Sequence, residues 1–218
     1  MIEIERTESV WIIRMRSGEN RFNRDSVDGL HRHLDEIERH SGPLALVTTG
    51  EGKFYSNGLD LDWMAQSGET AGPLLDDVHR LLGRLLLFPA LTVAAVNGHA
   101  FAAGAMLASA HDVVVMREDR GYWCLPEVDL GLPLTEAMFA VLAAKVPHPT
   151  LHDAVLTGRR YGAAEAVTAG IVHHAVPVDA VLDRAVELAT SWAGKNRTVV
   201  AAHKRLMYAD AAGVCGMP

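Results

Sequence analysis

The chain has 218 residues, of which 49% are hydrophobic and 22% charged, with a net charge of −7. That length fits one domain, or one domain with a helical appendage, and the composition can fill a real core. The acidic balance argues against a nucleic-acid partner, which would read a basic face, but leaves room for an anionic small molecule in a local basic pocket.

The N-terminus, "MIEIERTESVWIIRMRSG", mixes charge into every apolar run and is no signal peptide. Within it "SVWIIRMR" (9–16) alternates and predicts a strand. Val27, Leu30, Leu34 and Ile37 have helical spacing, with Asp25 or Ser26 as the cap and Gly42 as the stop. "LALVTTG" (44–50) predicts a buried strand, 73–89 an amphipathic helix stopped by Pro89, and "LTVAAVNG" (91–98) a second buried strand. From Leu85 to Ala110 there is no Asp, Glu, Lys or Arg, yet Pro89 and "NGH" cut the run too short for a membrane span. A small-residue helix (102–112) and a strand (113–118) follow, then short helices at 136–146, 151–158 and 162–171. An amphipathic helix covers 181–195, and the tail from Asn196 starts helical and turns ragged. Strands alternating with helices imply an α/β fold with mostly parallel strands. A P-loop and a post-strand G-x-G-x-x-G are both absent, so nucleotide hydrolysis and dinucleotide redox chemistry have no support. Cys124 and Cys215 lack metal-ligand spacing and fit reduced thiols of a cytosolic protein; the eleven histidines form no metal pattern.

Three stretches carry candidate chemistry. In "LVTTGEGKFYSNGLD" a buried strand leads to Ser56, Asn57, Gly58 and Leu59; in "VAAVNGHAFAAGAML" another leads to Ala103 and Gly104 at a helix start. Small residues let backbone N–H groups approach a ligand, and a helix start has free donors. Two such N–H groups could meet at one oxyanion, but spacing alone favours ordinary glycine turns and a close helix crossing. In "YWCLPEVDLGLP", Glu127 sits among apolar residues. It is either a carboxylate of raised pKa, suited to acid–base work, or a side chain pointing to solvent.

These stretches together resemble the crotonase, or enoyl-CoA hydratase/isomerase, superfamily, and the resemblance covers nearly the whole chain. It implies a spiral of ββα turns over 1–175 bearing the acyl-CoA site, and a C-terminal helical region, 176–218, for oligomerisation and coenzyme A cover. By resemblance Leu59 and Ala103 donate the oxyanion N–H groups, and Glu127 is the catalytic carboxylate. Around them Ser56, Asn57, Gly58, Asp60, Leu61 and Gly104 form the binding loops. Arg21 and Phe22 lie near the adenine end, and Lys204 or Arg205 near the phosphates. Hydratases of the family carry a second Glu where this chain has Met106, so Glu127 should work alone, facing Met106 across an apolar pocket. "SNGLDLDW" and "REDRGYW" (117–123) are most similar to monofunctional Δ3,Δ2-enoyl-CoA isomerases, in particular the plant peroxisomal type. The expected activity is movement of a 3-enoyl-CoA double bond to the 2-trans position through a dienolate. Alternatives are another acyl-CoA enzyme of the family (hydratase, hydrolase, or dienoyl isomerase using Glu136) or a non-catalytic acyl-CoA-binding protein. The resemblance also implies a homotrimer or dimer of trimers, no metal, and no cofactor beyond the coenzyme A that is part of the substrate. No nucleic-acid or membrane partner is expected. The final "GMP" is no peroxisomal tripeptide, which favours a cytoplasmic location. Residues 63–75 are expected to cover the acyl end.

Overall fold

The computed structural model describes residues 1–68 and 71–218. β1 (Ile2–Thr7) and β2 (Val10–Met15) form an antiparallel hairpin, and β2 continues in parallel into β3 (Ala45–Thr49), β5 (Leu91–Val96), β7 (Val113–Arg117) and β10 (His174–Val176). A second sheet joins the short strands β4 (Phe54–Ser56), β6 (His99–Phe101), β8 (Trp123–Cys124) and β9 (Arg160–Tyr161). Three times in succession the chain passes from a long strand of the first sheet to a short strand of the second and then into helix. The result is a spiral of ββα turns. Its helices are α1 (Arg24–Glu38), α2 (Leu61–Ser67), α3 (Ala71–Leu86), α4 (Ala103–Ala110), α5 (Glu127–Leu130), α6 (Glu136–Lys145), α7 (His148–Thr157) and α8 (Ala163–Thr168), followed by α9 (Val181–Trp192) and α10 (Arg197–Val214).

Side-chain alternation sorts the first sheet into two cores. Ile13, Met15, Leu46, Ala94, Val96, Val114 and Met116 face the main core with α1, α3, α4 and α6. Val10, Ile12, Ala45, Val47, Val93, Ala95 and Val115 face the opposite way, under Val181, Ala185 and Ala189 of α9 and Ala193 just after it. Strands covered on both faces read as continuous apolar runs, which is why β3, β5 and β7 are recognisable from sequence. β1 is not, because its charges belong to an edge: Glu5 pairs with Arg14 at 3.0 Å and Glu3 with Arg16 at 2.9 Å across the hairpin. The cap of α1 also differs from expectation. Asn23 accepts from the Ser26 N–H, and the Ser26 side chain returns to the Asn23 N–H, a reciprocal capping box.

Polar side chains tie the spiral's turns together. The Asn97 side chain accepts the Gly50 N–H at 2.9 Å and donates to the Gly52 carbonyl at 3.2 Å, pinning one corner to the next. Inside, Tyr55 Oη lies 2.7 Å from Thr48 Oγ1, which lies 2.9 Å from His111 Nε2; His111 Nδ1 lies 2.8 Å from the Leu107 carbonyl. Only one proton arrangement satisfies all four groups with a neutral ring. His111 Nδ1–H donates to Leu107, Thr48 donates to Nε2, and Tyr55 donates to Thr48. The chain of bonds links β3, β4 and α4, and burial pushes the His111 pKa down to about 4.

The tail is a single helix rather than a ragged end. Asn196 caps α10, accepting from the Thr198 and Val199 N–H groups, and the helix packs on α3 and α6. Lys204 falls on its buried side, only 2% exposed, with its ammonium 2.6 Å from Asp112 and 2.8 Å from the Ala90 carbonyl. A lysine inside the apolar stripe is what blurs the helical pattern in the sequence.

Because His111 titrates at about 4 when folded against an ordinary 6.5, the unfolded chain binds the proton first as pH falls. Stability contributed by the neutral ring is therefore present above pH 6.5 and is lost as pH falls toward about 4. At 1.36 kcal/mol per unit, the loss is on the order of 3 kcal/mol. Urea unfolding of His111→Gln is expected to show lower stability at neutral pH and a shallower fall on acidification than the wild type.

Candidate active site

The two proposed donor loops touch. A Cβ added at Gly58 would lie 2.9 Å from the Ala102 Cβ and 3.2 Å from the Ala103 nitrogen, and one added at Gly104 would lie 2.3 Å from the Ser56 carbonyl oxygen. Neither position has room for a side chain, and Gly58 also needs its φ of +82°. The glycines thus bring the loops against each other, a role that spacing alone did not reveal. Phe22 N–H donates to the Gly58 carbonyl at 2.8 Å and Asp60 N–H to the Phe22 carbonyl at 3.0 Å. This parallel bridge turns the Leu59 N–H away from Phe22. Ala103 is the first residue of α4, where a helix leaves its N–H unpaired. Among the described residues neither N–H has a hydrogen-bond acceptor. Ala102, between the loops, holds φ 50°, ψ −127°, a region that costs an L-residue about 1–2 kcal/mol.

Leu59 and Ala103 line a cavity of about 560 Å³ together with Glu127, Arg21, Asn57 and Leu61. The rest of its wall is mainly apolar: Met64, Leu75, Phe101, Ala102, Pro126, Leu130, Leu132, Pro133 and Met138, with Thr135 and Asp62. Glu127 opens the short helix α5, and its Oε2 is buried without a hydrogen-bond partner. Burial accordingly raises its pKa. Asp62, the other carboxylate on the wall, is solvent-exposed and bonded to Arg21 at 3.1 Å. The Arg21 guanidinium is also held by Glu19 at 2.6 Å, and these partners raise its pKa further. Thr135 caps α6 by accepting the Met138 N–H, and its hydroxyl lies 2.9 Å from His79 Nε2.

The remaining expected residues support the cavity from behind. Ser56 is fully buried; its hydroxyl donates to the Asn20 carbonyl at 2.7 Å and accepts from the Gly58 N–H at 3.2 Å. Asp60 caps α2, accepting the Trp63 N–H at 3.1 Å. Three expectations need correction. The Phe22 side chain is buried in the main core and absent from the cavity wall, so Phe22 acts through its backbone. Lys204 is enclosed and paired with Asp112, which leaves it no free charge for a phosphate. Met106 is buried in the main core and does not face Glu127 across the cavity; Met138, Thr135 and Leu132 stand on the wall instead. The stretch expected over the acyl end includes Glu69 and Thr70, which lie outside the described residues.

The sequence reading did not assign Phe101, Leu132, Thr135 and Met138 to the cavity wall. Phe101 stands two residues before Ala103, Leu132 lies within the "LPEVDLGLP" segment, and Thr135 and Met138 follow it, so proximity to the two motifs was the available signal. Gly104→Ala is expected to force the Ser56 carbonyl away, cost about 1–3 kcal/mol by overpacking, and lower any turnover at this site more than tenfold by misplacing a donor. Urea unfolding alongside steady-state rates checks both.

A family model described as enoyl-CoA hydratase/isomerase matches residues 5–214. Enoyl-CoA delta isomerase 3 of Arabidopsis thaliana is 36% identical over 202 residues, covering 88% of this chain and 85% of that protein. The peroxisomal enoyl-CoA delta isomerase 2 of the same plant is 34% identical, with 92% and 88% covered. Among solved structures, a probable enoyl-CoA hydratase of Mycobacterium tuberculosis superposes with a TM-score of 0.92 at 29% identity, over 99% of this chain and 91% of that one. The chain belongs to the enoyl-CoA hydratase/isomerase family and has its crotonase fold.

Proposed function

We propose that the protein is a Δ3,Δ2-enoyl-CoA isomerase. The observation that carries this reading is the Glu127 carboxylate, its Oε2 buried without a partner, in the same largely apolar cavity as two free N–H donors. The thioester oxygen accepts from Leu59 and Ala103. Glu127 removes a proton from C2, and the charge moves onto that oxygen as a dienolate. Each donor is worth roughly 3–4 kcal/mol of barrier. Glu127 then returns the proton to C4, and the double bond comes to rest between C2 and C3. The raised pKa suits the carboxylate both to take and to give this proton near neutral pH. Arg21 and Asn57 are among the few polar residues of the cavity wall, and the coenzyme A portion would lie beside them.

Hydration of a 2-enoyl-CoA would call for a second acid–base group, and the Met106 position is an apolar core residue. A dienoyl isomerase would draw on Glu136, which is exposed at the start of α6 and outside the cavity that holds the two donors. The isomerase relatives lend further weight to the single-base reading. We also propose self-association as a homotrimer or larger, with α10 as the contact: Leu206 and Met207 there are 85% and 59% exposed. Among the described residues no helix is long and apolar enough to cross a membrane.

Glu127→Gln should abolish formation of the conjugated thioester from a 3-enoyl-CoA while acyl-CoA binding survives; full turnover in the variant would refute the assignment. The substitution has a second expected effect. Burial raises the folded-state pKa of Glu127, so the native protein holds its proton to higher pH than the unfolded chain. Stability then falls as pH rises from the ordinary Glu value through the raised one. Glu127→Gln should therefore be more stable than the wild type at neutral and alkaline pH, and the gain should vanish in acid below the ordinary Glu value. Thermal unfolding across pH checks this.

A further inference from the structure

One polar side chain of the cavity wall is held by a residue outside that wall. Thr135 Oγ1 accepts the Met138 N–H at 3.2 Å, which caps α6, and lies 2.9 Å from Nε2 of His79 on α3. Leu75 of the wall stands one turn before His79, so one face of α3 supplies both a wall residue and the partner of Thr135. Burial holds the His79 pKa below the ordinary histidine value, against the pull of Asp76. A neutral imidazole has one N–H and one bare nitrogen, so two proton arrangements are open. If Nε2 carries the hydrogen, Thr135 accepts twice, and its own hydrogen has no partner at a largely apolar wall. If Nε2 is bare, Thr135 donates to it, and the hydroxyl is satisfied on both sides. An unpaired hydroxyl donor in apolar surroundings is unfavourable, which selects the second arrangement. A separate observation agrees with it: among the described residues Glu127 Oε2, on the same wall, has no hydrogen-bond partner, so the Thr135 hydroxyl is not spent there.

We propose that His79 is a positioning residue: its bare Nε2 turns the Thr135 hydroxyl away from the cavity, so that this wall offers no donor to anchor a water beside Glu127. The inference rests on the isomerase reading, in which Glu127 holds the proton taken from C2 until it returns it to C4. A water bonded to the Glu127 carboxyl would exchange that proton, taking the hydrogen onto its oxygen and giving one of its own back. An ordered water in such a site needs about two to four polar partners, and Glu127 with an inward Thr135 hydroxyl would supply two of them. His79 withdraws one. The α6 cap by itself does not require the histidine, because Thr135 accepts the Met138 N–H in either arrangement.

Heteronuclear NMR of the wild type reads the His79 ring directly. At neutral pH Nδ1 should carry the hydrogen and Nε2 should be bare; a protonated Nε2 overturns the proposal. A second measurement follows a 3-enoyl-CoA in deuterium oxide and reads the deuterium-to-hydrogen ratio at C4 of the product in the first turnovers. His79→Leu should raise that ratio by about fivefold or more, the shift expected when one hydroxyl donor is left for water. His79→Gln, whose amide oxygen accepts where Nε2 does, should keep the ratio within about twofold of the wild type. Thr135→Val added to His79→Leu removes the hydroxyl and should bring the ratio back toward the wild-type value. A ratio that His79→Leu leaves unchanged, or that Thr135→Val fails to restore, overturns the proposal, as does a wild type already fully deuterated at C4. The NMR reading does not depend on turnover. A bare Nε2 in a protein that isomerises no 3-enoyl-CoA would therefore refute the isomerase reading and leave the orientation of the hydroxyl standing.

Discussion

The contact between two stretches of backbone governs the rest of the site. Gly104 lies against the Ser56 carbonyl and Gly58 against Ala102 and Ala103, at separations that exclude any Cβ. This contact fixes the spacing of the Leu59 and Ala103 N–H groups, and an oxyanion is stabilised only where both donors reach it. The spiral exists on either side of that contact to hold it. β4 delivers the first loop and β6 the second, paired in parallel in the small sheet. The Tyr55–Thr48–His111 chain ties β4 to β3 and to the end of α4. Through these bonds a buried histidine far from any ligand bears on the register of the loops, and its neutrality at physiological pH is part of what keeps them in place.

The same site is where the structure gives up stability. Ala102 holds a conformation that an L-residue resists. α4 has no side-chain cap on its N-terminus, which leaves its first donors free. Glu127 Oε2 is buried without a partner. Each of these would be unfavourable in a purely structural protein, and the proposed proton transfer beside an oxyanion would give each a use. Other deeply buried polar groups are paired, Lys204 with Asp112 and Trp123 with Ser109 and the Ala105 carbonyl, while Trp11 Nε1, Arg24 Nε, His33 Nδ1 and His99 Nδ1 share with Glu127 Oε2 the lack of a hydrogen-bond partner.

Much of this was legible in the sequence for a physical reason. Doubly covered strands make continuous apolar runs, and β3, β5 and β7 announced themselves that way. Glu127 stood out as a charge within an apolar segment. The short strands of the second sheet did not, since two or three residues carry no periodicity. β1 was hidden by edge charges that pair across the hairpin. Lys204 and Met106 were misjudged because their surroundings come from distant segments: Asp112 lies 92 positions before Lys204 in the chain, and Met106 turns into a core shared with α3 and α6. Spacing along a helix tells which face a residue occupies. It does not tell whether that face meets solvent, a ligand or a partner ion.

The central claim is that one shielded carboxylate carries a single proton from C2 to C4. The most direct measurement is isomerisation of a 3-enoyl-CoA in deuterium oxide, with deuterium at C4 of the product read by mass spectrometry in the first turnovers. A shuttle by Glu127 alone in a water-poor cavity should leave most product carrying the original hydrogen at C4. Complete deuteration at C4 from the first turnover would contradict it, since the returning proton would then come from solvent or from a second group.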